Sequence, residues 1–145
     1  MSVFYDCLTA TQTVARGAGL VGVDVANIVI RKLPWVRGVG LPAVVISPIG
    51  DAAKWVNNTQ VEVGYGVHVA VIAAGSQDLT AGHDQLLYWR QQIEDAMRAD
   101  KLSAVGTVID VTIEPSGLIL SAAFRKMYDA SAFVARCRSR ETISA

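Results

Sequence analysis

Residues 60–74 read Q-V-E-V-G-Y-G-V-H-V-A-V-I-A-A. Val61, Val63, Tyr65, Val67, Val69 and Val71 take every second position, with Glu62, Gly64, Gly66, His68 and Ala70 between them. Side chains alternate across a strand with period two, so this spacing predicts one long strand with an apolar face and a sparse, polar face. The valine face belongs against a core. Two glycines thin the other face, so either the strand bends there or another backbone comes close.

The rest of the chain supplies partners for this strand. Val3, Cys7, Leu8, Thr11, Val14 and Ala15 approximate a helical stripe over residues 3–16, and Gly17 and Gly19 end it. Residues 27–33 read as a strand stopped by Pro34, and 35–40 as a loop. Residues 42–48, bracketed by prolines, form a short apolar strand. Residues 51–58 form a short strand or turn leading into the long strand, with Asn57-Asn58 at a hairpin bend. The clearest helix covers 80–99, capped by Thr80 or Asp78. Its apolar face is Leu86, Trp89, Ile93 and Ala96/Met97, opposite Arg90, Gln91, Glu94, Asp95 and Arg98. Residues 105–114 alternate again, with Thr107, Ile109, Val111 and Ile113 on one face, as do 131–140; residues 118–128 fit no single element. Residues 1–2 and 141–145 read as frayed ends of one domain. Strands cluster on either side of one central helix. That order predicts an α+β fold: a mainly antiparallel, twisted sheet of about five strands with two main helices on one face.

Composition narrows the function. The 145 residues are 52% hydrophobic and 18% charged, enough apolar surface for a core and for a subunit interface. Thirteen basic residues balance thirteen acidic ones, unlike the basic excess of a dedicated nucleic-acid binder. Cys7 and Cys137 stand near opposite ends without metal-ligand spacing and read as free, buried thiols of a reducing compartment. The first residues lack the basic and apolar blocks of a signal peptide, and no apolar run reaches the length of a membrane-spanning helix.

Candidate chemistry is sparse. Gly17-Ala18-Gly19-Leu20-Val21-Gly22 matches a dinucleotide-binding glycine pattern. Here a helix precedes it and a strand follows, the reverse of what places a phosphate at a helix N-terminus. His68 and His83 are the only histidines, on separate elements, so neither a catalytic triad nor a metal set converges. No cofactor site is expected. Asp110 and Glu114 share one face of their strand, and Arg136, Arg138 and Arg140 share one face of the last. If those strands are neighbours, the rows form cross-strand ion pairs. The functional alternative is a basic stripe facing a partner subunit or a DNA-filled channel. Trp35 and Arg37 beside the glycine-rich loop, and Trp55 ahead of the long strand, are candidate interface anchors.

The order of L-P-A-V-V-I-S-P, the valine-alternating strand, the helix L-L-Y-W-R-Q-Q-I-E-D-A-M, the strand V-I-D-V-T-I-E-P and the closing F-V-A-R-C-R-S-R resembles small neck and tail-terminator proteins of tailed bacteriophages. The likeness spans about residues 3–140. It implies a non-enzymatic virion protein, assembled in the host cytoplasm into a homo-oligomeric ring, often a hexamer. Such a ring docks to neighbouring head, neck or tail proteins, passes DNA through its lumen and needs no membrane. The interface residues expected on this reading are Trp35, Arg37, Trp55, Arg136, Arg138 and Arg140, together with Glu62, Gly64, Gly66 and His68, the face left bare enough for a neighbouring subunit. The alternatives are a small cytoplasmic enzyme with a site around His68, Tyr65 and Glu62, and an assembly adaptor.

Overall fold

A computed structural model of the chain describes residues 2–33, 36, 38–74, 81–115 and 128–142. The N-terminal stripe forms α1 (Val3–Gly17), opened by Ser2, whose hydroxyl accepts from the Tyr5 N–H at 3.1 Å. That cap satisfies one of the four amide donors a helix leaves unpaired at its start. Asp6 in the first turn and Arg16 in the last complement the helix dipole. A single 3₁₀ turn (Val25–Asn27), capped by Asp24, leads into β1 (Ile28–Ile30), which is shorter than the expected strand over 27–33.

The proline at position 48 does not end its strand. β2 (Ala43–Trp55) runs on through a bulge between Pro48 and Gly50, joining two segments that read separately in the sequence. The backbone explains why the proline is tolerated. Ile46 turns its carbonyl outward to the Arg31 N–H at 2.8 Å, so Pro48, two residues on, also has its nitrogen on the outer side, where β1 has ended. No ladder hydrogen bond is lost. Gly50 takes φ of 137°, a conformation open only to glycine, and so absorbs the extra residue of the bulge. The Asn57-Asn58 bend lies where the sequence puts it. Asn57 Oδ1 accepts from the N–H groups of Thr59 and Gln60 at 2.9 and 3.0 Å.

β3 (Gln60–Ala74) has the bounds that alternation predicts. After α2 (Ala81–Asp100) come β4 (Val108–Pro115) and β5 (Tyr128–Thr142). The Thr80 and Asp78 caps and most of the ambiguous 118–128 stretch lie outside the described residues. The five strands form one sheet in the order β1-β2-β3-β5-β4, antiparallel throughout except for the parallel β1–β2 pair. The α+β expectation of a mainly antiparallel sheet with two helices on one face holds. Val63, Tyr65, Val67, Val69 and Val71 of β3 share a core with Cys7 and Leu8 of α1, Trp89, Ile93 and Met97 of α2, and Phe133, Ala135 and Cys137 of β5. Each large apolar side chain fully buried here stabilises the fold by roughly 1.5–3 kcal/mol. Cys7 and Cys137 are free and buried, and the interaction of the two thiols lowers the pKa of Cys7 and, with burial, raises that of Cys137.

Three local expectations change. Ile109 occupies a bulge in β4 and points to solvent, so Val108, Val111 and Ile113 are the residues that pack on the core. Glu94, expected on the exposed side of α2, is buried between Arg90 at 2.9 Å and Arg98 at 3.7 Å. The ends are ordered further than the composition suggests: Ser2 caps α1, and Glu141 and Thr142 belong to β5. Glu141 accepts the Tyr65 hydroxyl at 2.8 Å, and burial with this carboxylate raises the phenol's pKa. Tyr65→Phe is therefore expected to lower unfolding free energy by about 1 kcal/mol, measured by urea denaturation. Truncation after Arg140 should reproduce that loss.

Candidate assembly surface

The sheet's second face is built from the alternate residues of the same strands. Register sets Ala52, Gly64, Arg138 and Asp110 on one rung, and Gly50, Gly66, Arg136 and Thr112 on the next. The lower part of this face carries a charged lattice centred on Glu62. Its carboxylate is only 8% exposed and stands 3.6 Å from each of Lys54, Arg138 and Arg140. Arg138 also grips Asp110 with two hydrogen bonds, at 2.6 and 3.2 Å, and Arg136 reaches Glu114 at 3.4 Å. These contacts raise the pKa of Arg138, chiefly through Asp110. The arginine row is thus held by cross-strand ion pairs, and the stripe of uncommitted cations that a DNA contact would need is not formed. A shallow trough of about 480 Å³ runs along the lattice between Ala52, Gly64, Thr112 and Arg136.

The expected assembly residues divide. Trp35 and Arg37 lie outside the described residues. Trp55 ends β2 and is 68% exposed, as an interface anchor requires. Glu62 is buried by its cations and is not offered to a partner. Gly64 has open space beside it, the nearest atom to an added Cβ being Ala52 O at 3.9 Å. Gly66 is not bare: a Cβ there would meet Ile49 Cγ2 at 2.5 Å, the Arg136 guanidinium at 2.8 Å and Gly50 O at 3.1 Å. The close approach that the glycine pattern predicts does occur, but it comes from this chain's own bulge. His68 is buried, which lowers its pKa. Beyond it Ala70 and Ile72 pack with Val36 and Val45 in a second, smaller core. The face expected to be open is therefore covered along β3, except at Gly64.

The open surface lies one strand over. Pro48–Trp55 of β2 are exposed at every position, because β1 covers β2 only from Val44 to Ile46. Ile49 and Trp55 within it, and Val56 just past it, are large exposed apolar side chains. Sequence reasoning missed this edge by taking Pro48 as a terminus; the signal was the Pro-Ile-Gly run, which suits a bulge as well as a stop. The three residues of the alternative enzyme site do not share a face: Tyr65 faces the helices with its ring 4.9 Å from that of Phe4, while Glu62 and His68 face away. Among the described residues no cluster of His, Cys, Asp or Glu could hold a metal ion, and no helix is long and apolar enough to cross a membrane. No protein-family model matches the chain, and no curated protein does.

Two outcomes follow. Gly66→Val should cost about 1–3 kcal/mol by overpacking with Gly64→Val near neutral, both measured by chemical denaturation. Burial lowers the pKa of His68 in the fold, whereas the unfolded chain takes the proton near 6.5. Its folded pKa is the lower one, so the associated stability is complete above that pH and is lost as pH falls below it. Melting temperature should drop on acidification below about 6.5, and His68→Gln should flatten that slope.

Proposed function

We propose that this protein is a non-enzymatic virion structural subunit that assembles into a ring, of the kind found at the head–tail junction or tail end of tailed bacteriophages. It joins neighbouring head, neck or tail components and lets DNA pass. One observation carries the reading: half of the long strand β2, Pro48–Trp55, pairs with β3 on one side, has no strand on the other among the described residues, and ends in an exposed tryptophan. Such an edge templates pairing with another chain unless it is covered. Exposed Ile49, Trp55 and Val56 would then be covered by a neighbouring subunit.

The lattice supports the same reading from the electrostatic side. Lys54, Arg136, Arg138 and Arg140 face Glu62, Asp110 and Glu114, so the surface is almost neutral and its charges are engaged with one another. A wall of this kind offers sliding DNA few free phosphate contacts and little reason to stall. Ring size and position on the particle follow only from the resemblance in element order.

Size-exclusion chromatography with light scattering tests the reading. At tens of micromolar the protein should elute as a discrete closed oligomer, and Trp55→Ser should shift it toward the monomer while leaving the far-ultraviolet spectrum unchanged. A monomer at all concentrations would overturn the proposal.

A further inference from the structure

We propose that the sheet is completed by a second copy of this chain: the outer edge of β2 in one copy pairs antiparallel with the outer edge of β4 in the next. This inference rests on the self-assembly proposed above and names the surfaces that carry it.

Backbone parity identifies the free groups. Val56 donates its N–H to Gln60 O across the hairpin. Backbone groups alternate in direction along a strand, so Gly50, Ala52 and Lys54 turn theirs toward β3, whereas Asp51, Ala53 and Trp55 turn theirs outward. At the opposite margin Arg140 donates to Thr107 O. Alternation along β5 then turns Arg138, Arg136 and Val134 toward β4, so their partners beyond the bulge, Asp110, Thr112 and Glu114, serve β5, and Val111 and Ile113 turn outward. Among the described residues no strand lies beyond β4, nor beyond β2 past Ile46.

The charges of the two edges complement each other on the lattice face. On the lattice face the β2 edge carries Lys54, whose side chain is 74% exposed. The β4 edge carries Asp110 and Glu114, held by arginines on their inner flank and open on the outer one. On the helix face an antiparallel pairing with Asp110 opposite Ala52 sets Val111 opposite Asp51 and diagonal to Ala53. A pairing of β2 with itself is less well matched. Centred on Ala53, it sets Asp51 against Trp55 and Lys54 against Ala52, and leaves the β4 edge uncovered.

Register also favours closure. Ala52, Gly64, Arg138 and Asp110 share one rung, so the two edges lie at the same height along the strands. A copy added sideways sets its Asp110 opposite Ala52 with no axial step. Lys54 is then the diagonal neighbour of that carboxylate, within reach of a long side chain. Head-to-tail contacts without an axial offset close into rings; those with one build filaments.

Cysteine pairing tests the register. Ala52→Cys and Asp110→Cys are made singly and together in the full chain, then oxidised with glutathione disulfide and run on a non-reducing gel. The double variant should give a ladder of covalent oligomers ending at the size of the native assembly, and neither single variant should cross-link. Cys7 and Cys137 are buried and do not compete. Ala53→Pro removes only an outward N–H, so it should fold as the parent does and assemble roughly tenfold more weakly or worse. An assembled double variant without a ladder, a dimer from Ala52→Cys alone, or unchanged assembly of Ala53→Pro would each overturn the pairing while leaving self-assembly intact. A monomeric parent protein would overturn both.

Discussion

β3 is paired on both sides, with β5 over all of Gln60–Ala74 and with β2 over nearly as much. Its neighbours are drawn out to match. β2 needs thirteen residues and a bulge to follow it, and β5 needs fifteen. The supply of strands then runs short. β1 offers three residues to the far side of β2, and β4 offers eight to the far side of β5. A long central strand flanked by short outer ones leaves open edges by necessity, and every exposed backbone group there must find water or a partner.

The two faces of the sheet solve different problems. The helix face is an ordinary core, closed by α1 and α2 over alternating valines. Among the described residues the other face has no helix, and the chain covers it with its own pieces. Val36 and Leu41 close the end near Ile72, Ile49 and Arg136 lie across Gly66, and four cations interlock with three carboxylates over the rest. Exposed ion pairs of this sort each stabilise by only a fraction of a kcal/mol. Glu62 differs, because it is buried and removing its charge would leave three cations clustered without their shared counter-charge. The lattice therefore sets charge and shape more than it sets stability.

Much of the fold is readable in the residues, for definite reasons. Period-two alternation fixes β3 to its end residues, and period-3.6 spacing fixes both helices, since each pattern survives only if one face is buried. The cross-strand pairing of Asp110 and Glu114 with the arginines follows from alternation once β4 and β5 are neighbours. The bulges at Ile49 and Ile109 were not readable. Each adds a residue to one strand and reverses which side chains face in, and nothing in local composition separates a bulge from a strand end. The same reason separates the open edge of β2 from the β3 face on which alternation alone puts the close approach. Gly66 correctly signalled a close approach, but only the bulge reveals that Ile49 makes it, and that the free margin is the outer side of β2.

Residue-resolved amide hydrogen exchange as a function of protein concentration tests this picture most directly. In the dilute protein the amides of Ala52 and Lys54 should be protected, and those of Asp51, Ala53, Trp55, Val111 and Ile113 should exchange freely. As the protein assembles, Asp51, Ala53 and Val111 should become protected together, on both edges at once. Assembly with no added protection at Asp51 and Ala53 would show that the open edge of β2 is not where copies meet.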